Sequence, residues 1–539
     1  MAYVKPGVEV TQVQETATPI LTAPTLTATV VGEAFYWQDI NLDSSVHPTT
    51  YSGASHTFEF SDFTGNNGYY DVDSNDADMV IVDLVSTAGA TAGSVKHLVK
   101  GTDFTVQTGA AADVTISGSI AIGGVAVTAA NVKIGYRAKN TGAAGYKIHN
   151  SLKAITDVLG KDVSWNALSY GTALAMSNSN SIVTSYDVGN DGTVDSAGTL
   201  GALGVKDTYA LAFLDDSADA TNVKTHVEGM SDAVNKKERI AFLNKAIAWS
   251  AGNAKDATPT VLSNTAAAVR DANSAIGSKR VFEIHPDIAY VLETRPVATL
   301  NPTFQTAAFQ NQTGLTWANY DAFCELASEV VTGGTKYVAG TKVTSTVYNA
   351  LIADGNIGDL QVYAPVPGSY YCAAAAGLLI SQNPEQPLTN LSMGGIKRTL
   401  GSQDQFPEAD LNTMAGGGTY IITQDGPNAP VYSRHQVSTD VTSIAYRELS
   451  VTKSLDYAAK FIRDGIKPYI GVNVISPAFL KLLNSVLVSQ GLFLVREGVL
   501  NDFKVVSVAQ DSVSADTIQV VVNVLVKYPV NYIKIKLVF

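Results

Sequence analysis

Residues 447–471 read RELSVTKSLDYAAKFIRDGIKPYIG, and this stretch decides the fold of the C-terminal part of the chain. On a helix with 3.6 residues per turn, one face is apolar and holds Leu455, Ala458, Ala459, Ile462 and Ile466. The residue before a proline disfavours the α region, so Lys467 followed by Pro468 predicts the end of this helix. The pattern therefore predicts one amphipathic helix that begins near Arg447.

A second helix and three strand-like runs follow. Ser476 is a suitable N-cap residue, Pro477 suits the first helical position, and Gly491 is a candidate for the residue just past the end. Alternating or β-branched residues then fill FKVVSV at 503–508, TIQVVVNVLV at 517–526 and NYIKIKLVF at 531–539. We expect the last run to need a neighbouring strand, because a strand's unpaired backbone groups are a liability.

This order of elements resembles the C-terminal domain of contractile tail sheath proteins, which form the outer sleeve of phage tails and related injection machines. YVKPGVEVTQV at 3–13 resembles the extended arm that opens many sheath subunits, and VKTHVEGMSDAVNKKERIAFL at 223–243 resembles the family's central α/β segment. The resemblance implies a structural subunit that polymerises around a tail tube and contracts to drive the tube through the host envelope.

The resemblance also implies partners and a location. The partners are further copies of the chain in a helical polymer, with hexameric rings, and the tail tube, baseplate and tail terminator proteins. Neither nucleic acid nor direct membrane insertion is implied. The subunit is expected to assemble in the host cytoplasm and to become part of the virion, as the sheath that serves genome ejection.

Both ends of the chain are predicted to be extended arms. Residues 1–24 contain three prolines and the alternating residues Val8, Val10 and Val13, which favour a strand lent to another subunit over a frayed terminus. At the other end, residues 527–539, the same intersubunit exchange is assigned to Tyr532, Ile533, Ile535 and Leu537.

The segments between the arms differ in composition, and they predict a mixed α+β, multidomain fold. Residues 25–45 with 205–380 show the strand–helix rhythm of a central α/β domain. Residues 46–204 are rich in Gly, Asn, Asp and Ser with short β-like runs, which predicts an all-β, outward-facing insertion. Residues 381–526 are assigned to a tube-proximal domain of two helices and β-strands.

Composition and charge narrow the function further. The chain has 539 residues, of which 46% are hydrophobic, with two cysteines that we expect to be reduced and buried. The start shows no secretion signal, and no run approaches 18 apolar residues, so we expect a protein that is soluble where it is made. Residues 431–539 hold 12 basic and 8 acidic residues, which is a net charge of +4. Because the whole chain has a net charge of −13, the first 430 residues carry −17. A basic end on an acidic body favours an acidic protein partner.

Motifs for catalysis or metal binding are not evident, so no enzyme, cofactor or metal site is predicted. The acidic run DDSADA follows the strand at 208–214, where a phosphate-binding loop would be glycine-rich. DVGNDGTVD at 187–195 resembles the start of a calcium-binding EF-hand loop. Counted from Asp187, however, the ligand positions 3 and 12 of such a loop are occupied by Gly189 and Gly198, which have no ligating side chain. This run and DVDSNDAD at 71–78 are interpreted as solvated turns, with a weak structural cation as the alternative.

A basic stripe remains on the first C-terminal helix. It comprises Lys453, Lys460, Arg463 and Lys467. The sheath resemblance assigns these residues to the surface that faces the inner tube, and a merely solvated surface is the alternative. Three further functions stay open: the sheath of a bacteriocin-like or cellular injection system, a β-rich surface adhesin, and an α/β enzyme.

Overall fold

The computed structural model describes residues 26–42, 55–59, 79–107, 113–140, 143–179, 181–189, 193–215, 218–244, 259–306, 323–354, 358–399, 408–426 and 429–538. The strands in these ranges are β1 (Ala28–Gly32), β2 (Phe35–Leu42), β3 (His56–Glu59), β4 (Val80–Ser86), β5 (Val95–His97), β6 (Phe104–Gln107), β7 (Asp113–Ile116), β8 (Ala121–Ile122), β9 (Val125–Ala126), β10 (Ala130–Lys139), β11 (Gly145–His149), β12 (Val183–Asp187), β13 (Ala210–Phe213), β14 (Ile240–Asn244), β15 (Val281–His285), β16 (Ile288–Pro296), β17 (Glu325–Leu326), β18 (Val330–Thr332), β19 (Thr335–Tyr337), β20 (Asp359–Pro367), β21 (Ile396–Thr399), β22 (Thr419–Thr423), β23 (Tyr432–His435), β24 (Leu500–Gln510) and β25 (Ile518–Val526). The α-helices are α1 (Leu152–Leu159), α2 (Ala167–Ser177), α3 (Ala197–Gly204), α4 (Ala220–Met230), α5 (Pro259–Ile276), α6 (Ser345–Ala353), α7 (Ser369–Ser381), α8 (Glu408–Gly416), α9 (Ile444–Arg447), α10 (Leu449–Ile466) and α11 (Pro477–Arg496).

An eight-stranded sheet organises the fold, in the order β11-β12-β1-β13-β14-β15-β22-β23. Its six inner strands run parallel, and each edge strand is antiparallel to its neighbour. Strands β13 and β14 are buried at every residue, as expected of parallel strands covered on both faces. Strand β13 confirms the strand predicted at 208–214, and the fold is mixed α/β with several antiparallel sheets.

Helix α7 is the apolar centre of this core. All residues from Ser369 to Ile380 are buried, because the sequence YYCAAAAGLLI has no polar face to turn to water. Gly377 permits a close approach to α2, since a Cβ there would lie 2.0 Å from the carbonyl oxygen of Ala175. Cys372 on this helix and Cys324 are both buried free thiols, as predicted.

A β-rich unit lies beside the large sheet. Its four-stranded sheet, β2-β10-β4-β5, and three-stranded sheet, β3-β7-β6, share one hydrophobic core that includes Phe58, Phe104 and Val132. The short β-like runs of this part of the sequence are present as strands: HTFEF, DMVIVDLV, DFTVQ, ADVTISG and NVKIGYR contain β3, β4, β6, β7 and β10. Whether this unit faces outward stays a prediction.

Two predicted boundaries differ from the structure. The proposed all-β segment 46–204 is too long, because β11, β12 and helices α1 to α3 belong with the large sheet. Similarly, β22 and β23 fall within the predicted C-terminal domain, 381–526, yet complete the large sheet. Small and polar residues in 145–204 resemble loop composition, but Thr172 and Ser169 on α2 are buried and bonded to backbone carbonyls.

Candidate assembly interface

The C-terminal unit, residues 449–538, begins with helix α10. The helix ends at Ile466, before Lys467 and Pro468, as the sequence predicts. Its buried side agrees with the predicted apolar face only in part: Ala458 is buried and Ile462 packs against the core, but Leu455 is exposed. The charged residues Asp456 and Lys453 are buried as well. These two charged side chains point into the body of the protein, where other parts of the chain supply their partners.

Asp456 joins α10 to the large sheet through a buried ion pair. Both carboxylate oxygens lie 2.8 Å from the guanidinium of Arg280, which precedes β15, and Tyr209 donates its hydroxyl to Oδ2 at 3.1 Å. Burial raises the pKa of Asp456, and the bonds from Arg280 offset part of that effect. Burial opposes the charge of Arg280, but its bonds to Asp456 outweigh burial and raise its pKa, so the guanidinium stays charged.

Lys453 caps the C-terminal end of the buried helix α7. Its Nζ donates to the carbonyl oxygens of Leu379 at 2.6 Å, Gln382 at 2.8 Å and Asn383 at 3.2 Å. Leu379 lies in the last turn of α7, where the carbonyl acceptors of any helix lack helical partners, and Gln382 and Asn383 follow directly after the helix. Burial lowers the pKa of Lys453 to about 7, with the Glu385 carboxylate acting in the opposite direction.

The predicted tube-facing set is therefore divided. The prediction that Lys453 faces the tube is wrong, since its side chain is fully buried. Lys460 is half-buried and lies 3.0 Å from Asp207, and Arg463 pairs with Glu238, so both face the chain's own body at least in part. Lys467 is exposed at the helix end. The role of Lys460, Arg463 and Lys467 toward a tube stays a prediction.

Helix α11 packs between α10 and the hairpin of β24 and β25. Ser476 caps its start by accepting a bond from the Phe479 amide, with Pro477 at the first position, as predicted. The helix does not stop near Gly491 but continues to Arg496. Gly491 instead faces Phe503 of β24, where an added Cβ would lie 1.9 Å from the aromatic ring. The rings of Phe461 and Phe493 stack between the two helices, with their centroids 5.2 Å apart.

The hairpin pairs β24 with β25 along its length, with two register shifts. In the ranges that the structure describes, neither strand pairs with a third. The hairpin carries exposed apolar side chains, among them Val506, Val521 and Leu525. A two-stranded hairpin is marginally stable in water, and its two open edges are templates for further strands.

The segment after β25 is exposed and forms no strand ladder within the described residues. Its sequence alternates, with Ile533, Ile535 and Leu537 on one side and Tyr532, Lys534 and Lys536 on the other. The exposed fractions of Ile533, Ile535 and Leu537 are 78%, 80% and 85%. The predicted N-terminal arm with Val8, Val10 and Val13 lies outside the described residues, so strand exchange at either end stays a prediction.

Exposed apolar side chains concentrate in this C-terminal unit and the short helix before it. Of the 31 large hydrophobic residues that are exposed in the described chain, 20 lie between Ile444 and Val538. Exposed patches of this kind mark interaction surfaces. By length and hydropathy alone α11 could also cross a membrane, a test that core helices of soluble proteins pass as well.

One buried charged residue beside this surface was not revealed by the sequence pattern. Glu448, the residue before α10, is fully buried and accepts bonds from Arg447 at 3.0 Å, from His435 at 3.1 Å and from Asn531 at 2.9 Å. Burial acts to raise the pKa of Glu448, but the bonds from His435 and Arg447 outweigh it and hold the pKa below its usual range. An acidic residue at a helix start was the available signal.

Metal-ligating side chains do not converge in the described part of the chain, where no three His, Cys, Asp or Glu residues could hold one ion. Burial lowers the pKa of His285 to about 3, so this histidine is neutral at physiological pH. Cys324 is likewise unsuited to nucleophilic chemistry, because burial raises its pKa to about 11.

Neither a scan against protein-family models nor a search of curated proteins finds a match. Among solved structures, the helical sheath of the anti-feeding prophage in its contracted state is 13% identical, with a TM-score of 0.44 over 74% of this chain and 88% of that chain. The sheath complex of PVC, an extracellular contractile injection system in its contracted state, is 11% identical, with a TM-score of 0.45 over 73% and 86%. The sheath tail protein from Desulfitobacterium hafniense is 11% identical, with a TM-score of 0.37 over 95% and 98%. The chain is thus distantly similar to sheath proteins over most of its length.

Proposed function

We propose that this chain is the structural, non-enzymatic subunit of a contractile sheath, which polymerises into a helical sleeve around a tube and contracts to drive it forward. The observation that carries the proposal is the accumulation of exposed apolar side chains between Ile444 and Val538, which hold 20 of the 31 in the described chain. In a monomer this apolar surface stays exposed to water, which is unfavourable. In a polymer the same surface is buried between copies of the chain.

The polymer contacts are strand exchanges. The open edges of the hairpin accept strands, and the alternating segment 532–538 supplies one, with its apolar side chains toward the neighbour. The alternating residues Val8, Val10 and Val13 supply a second from the N-terminal arm. Each added backbone hydrogen bond contributes about 1 kcal/mol, and the contribution repeats at every subunit of the sleeve.

The inner partner is a tube whose outer surface is acidic. The C-terminal end carries a net charge of +4, and Lys467, at the end of α10, is one of its exposed cations. Lys460 and Arg463 lie half-exposed on the same helix. Their own carboxylate partners, Asp207 and Glu238, hold them in place and weaken their field, so Lys467 takes the larger share.

The particle is, in our proposal, a phage tail, with the subunit in hexameric rings that contact baseplate and tail terminator proteins. A bacteriocin-like or cellular injection system uses the same subunit chemistry. Capsid and terminase genes beside the coding gene would identify the phage, and their absence beside a complete tail cluster would identify the injection system.

Truncation tests strand exchange. Deleting residues 532–539 or residues 1–18 leaves a folded subunit that no longer forms sleeves in negative-stain electron microscopy, because only intersubunit ladder bonds are lost. A matched pair of variants refines the test. Changing Ile533, Ile535 and Leu537 to Ser prevents sleeves, while changing Lys534 and Lys536 to Ser retains them. Long sleeves from either truncated chain would contradict the proposal.

A further inference from the structure

The C-terminal segment contacts the body of the chain through Asn531. Its Nδ2 donates to Oε1 of Glu448 at 2.9 Å, and Glu448 is fully buried. Arg447 and His435 bond to the same oxygen and keep the carboxylate ionised and in position. A hydrogen bond to a buried, ionised carboxylate is among the stronger contacts that one amide side chain makes.

The neighbours of Asn531 are far less constrained. Val530 is 80% exposed and Tyr532 is 79% exposed. A cavity of 430 Å³ adjoins the contact, lined by Asn412 and Arg434 as well as by Asn531 and Tyr532. Because this space is not filled by packing, the bond to Glu448 rather than apolar contact holds the segment at this point.

The position of the contact divides the segment. The residues beyond Asn531 number eight, which is within the usual length of one strand. The side chains described there are exposed, including that of Tyr532, which borders the cavity. The contact therefore leaves the exchangeable part of the arm uncovered and fixes only where it starts.

We infer that Asn531 and Glu448 form the pivot of the C-terminal arm, a positioning contact that aims residues 532–539 at the hairpin edge of a second copy of this chain. This inference rests on the proposed function. A fixed starting point reduces the conformational entropy that the arm loses on pairing, so it favours polymerisation without adding an intersubunit contact.

Spin labels test the pivot in the full-length subunit, kept below the concentration at which sleeves form. The variants Ile533→Cys and Asn484→Cys accept nitroxide labels on the arm and on the exposed side of α11. Cys324 and Cys372 remain unlabelled, because both are buried. We expect one narrow distance distribution between the labels in the otherwise unchanged chain.

Asn531→Ala removes the bond, and the ratio of anchored to free arm falls about tenfold or more, as for a lost bond to a charged group. The distance distribution then broadens, and the subunit concentration needed for sleeves rises severalfold. Asn531→Asp keeps the side-chain size but opposes two carboxylates, and gives the same broadening. Asn523→Ala, the same change at an exposed position of β25, leaves the distribution narrow.

A distribution that stays narrow in both Asn531 variants overturns the pivot. That result leaves the proposed function intact if deletion of residues 532–539 still abolishes sleeves. Conversely, sleeves that survive the deletion refute strand exchange, even if Asn531→Ala broadens the distances.

Discussion

Replacing Asp456 with asparagine removes one charge from the buried pair that holds α10 against the large sheet. Arg280 then keeps its charge in a site where its side chain is 9% exposed, without a carboxylate to balance it. Breaking a buried pair in this way costs about 3–5 kcal/mol. We expect the lower end, about 3 kcal/mol, because asparagine still offers one oxygen to the Arg280 guanidinium or to the Tyr209 hydroxyl.

The measurement is urea unfolding, followed by circular dichroism, in the chain that lacks residues 532–539 so that polymerisation does not contribute. A double variant, Arg280→Met with Asp456→Leu, removes both charges and leaves apolar side chains of similar volume. Its stability is expected to lie close to that of the unchanged pair or above it, because such replacements avoid the desolvation of two ions.

The matched control is Lys460→Ala on the same helix. Its partner Asp207 is mostly exposed, so the loss is at most about 1 kcal/mol. The reasoning is refuted if Asp456→Asn costs no more than Lys460→Ala, or if the double variant is as unstable as the single one.

Three further changes have defined outcomes. Folding lowers the pKa of Lys453 from 10.5 to about 7, so the unfolded chain binds more protons between these two pH values. The free energy of unfolding therefore rises with pH in this range, by up to ~1.4 kcal/mol per pH unit. Lys453→Met abolishes that slope in unfolding measured from pH 6 to 10. Gly491→Ala destabilises the fold by about 1–3 kcal/mol in thermal or urea unfolding, because the added Cβ overlaps an aromatic ring. The control Gly201→Ala, on a helix with open space around it, is neutral or stabilising. Equal effects of the two changes would contradict the close packing at Gly491. Lys467→Glu makes tube-dependent sleeve assembly fail or become more salt-sensitive, while Lys481→Glu on α11 leaves it unchanged, as counted by electron microscopy over a salt series.

Local chemistry allowed several elements to be predicted closely. The proline after Lys467 ends α10, and Ser476 with Pro477 begins α11, because caps and proline act on the backbone within a few residues. The strands of the large sheet from β13 to β15 follow from short apolar runs between helical segments.

Other features depend on which distant segments meet. Periodicity placed Lys453 on a basic surface, yet the carbonyls at the end of α7, some 70 residues earlier in the chain, bury it. Periodicity also cannot show that Arg280 lies opposite Asp456, since the two are 176 residues apart. Whether a charged side chain is exposed or buried depends on the partner it finds, and that partner is known only from the folded chain.

The sequence alone therefore determined where several helices and strands begin or end, and that residues 531–538 have the alternation of a strand. The tertiary structure decided which elements share the large sheet, which charges of α10 are buried, and where the C-terminal arm is held. The physical reason is range: caps, turns and side-chain period act between near neighbours along the chain, whereas burial, ion pairing and close packing act between surfaces that only folding brings together.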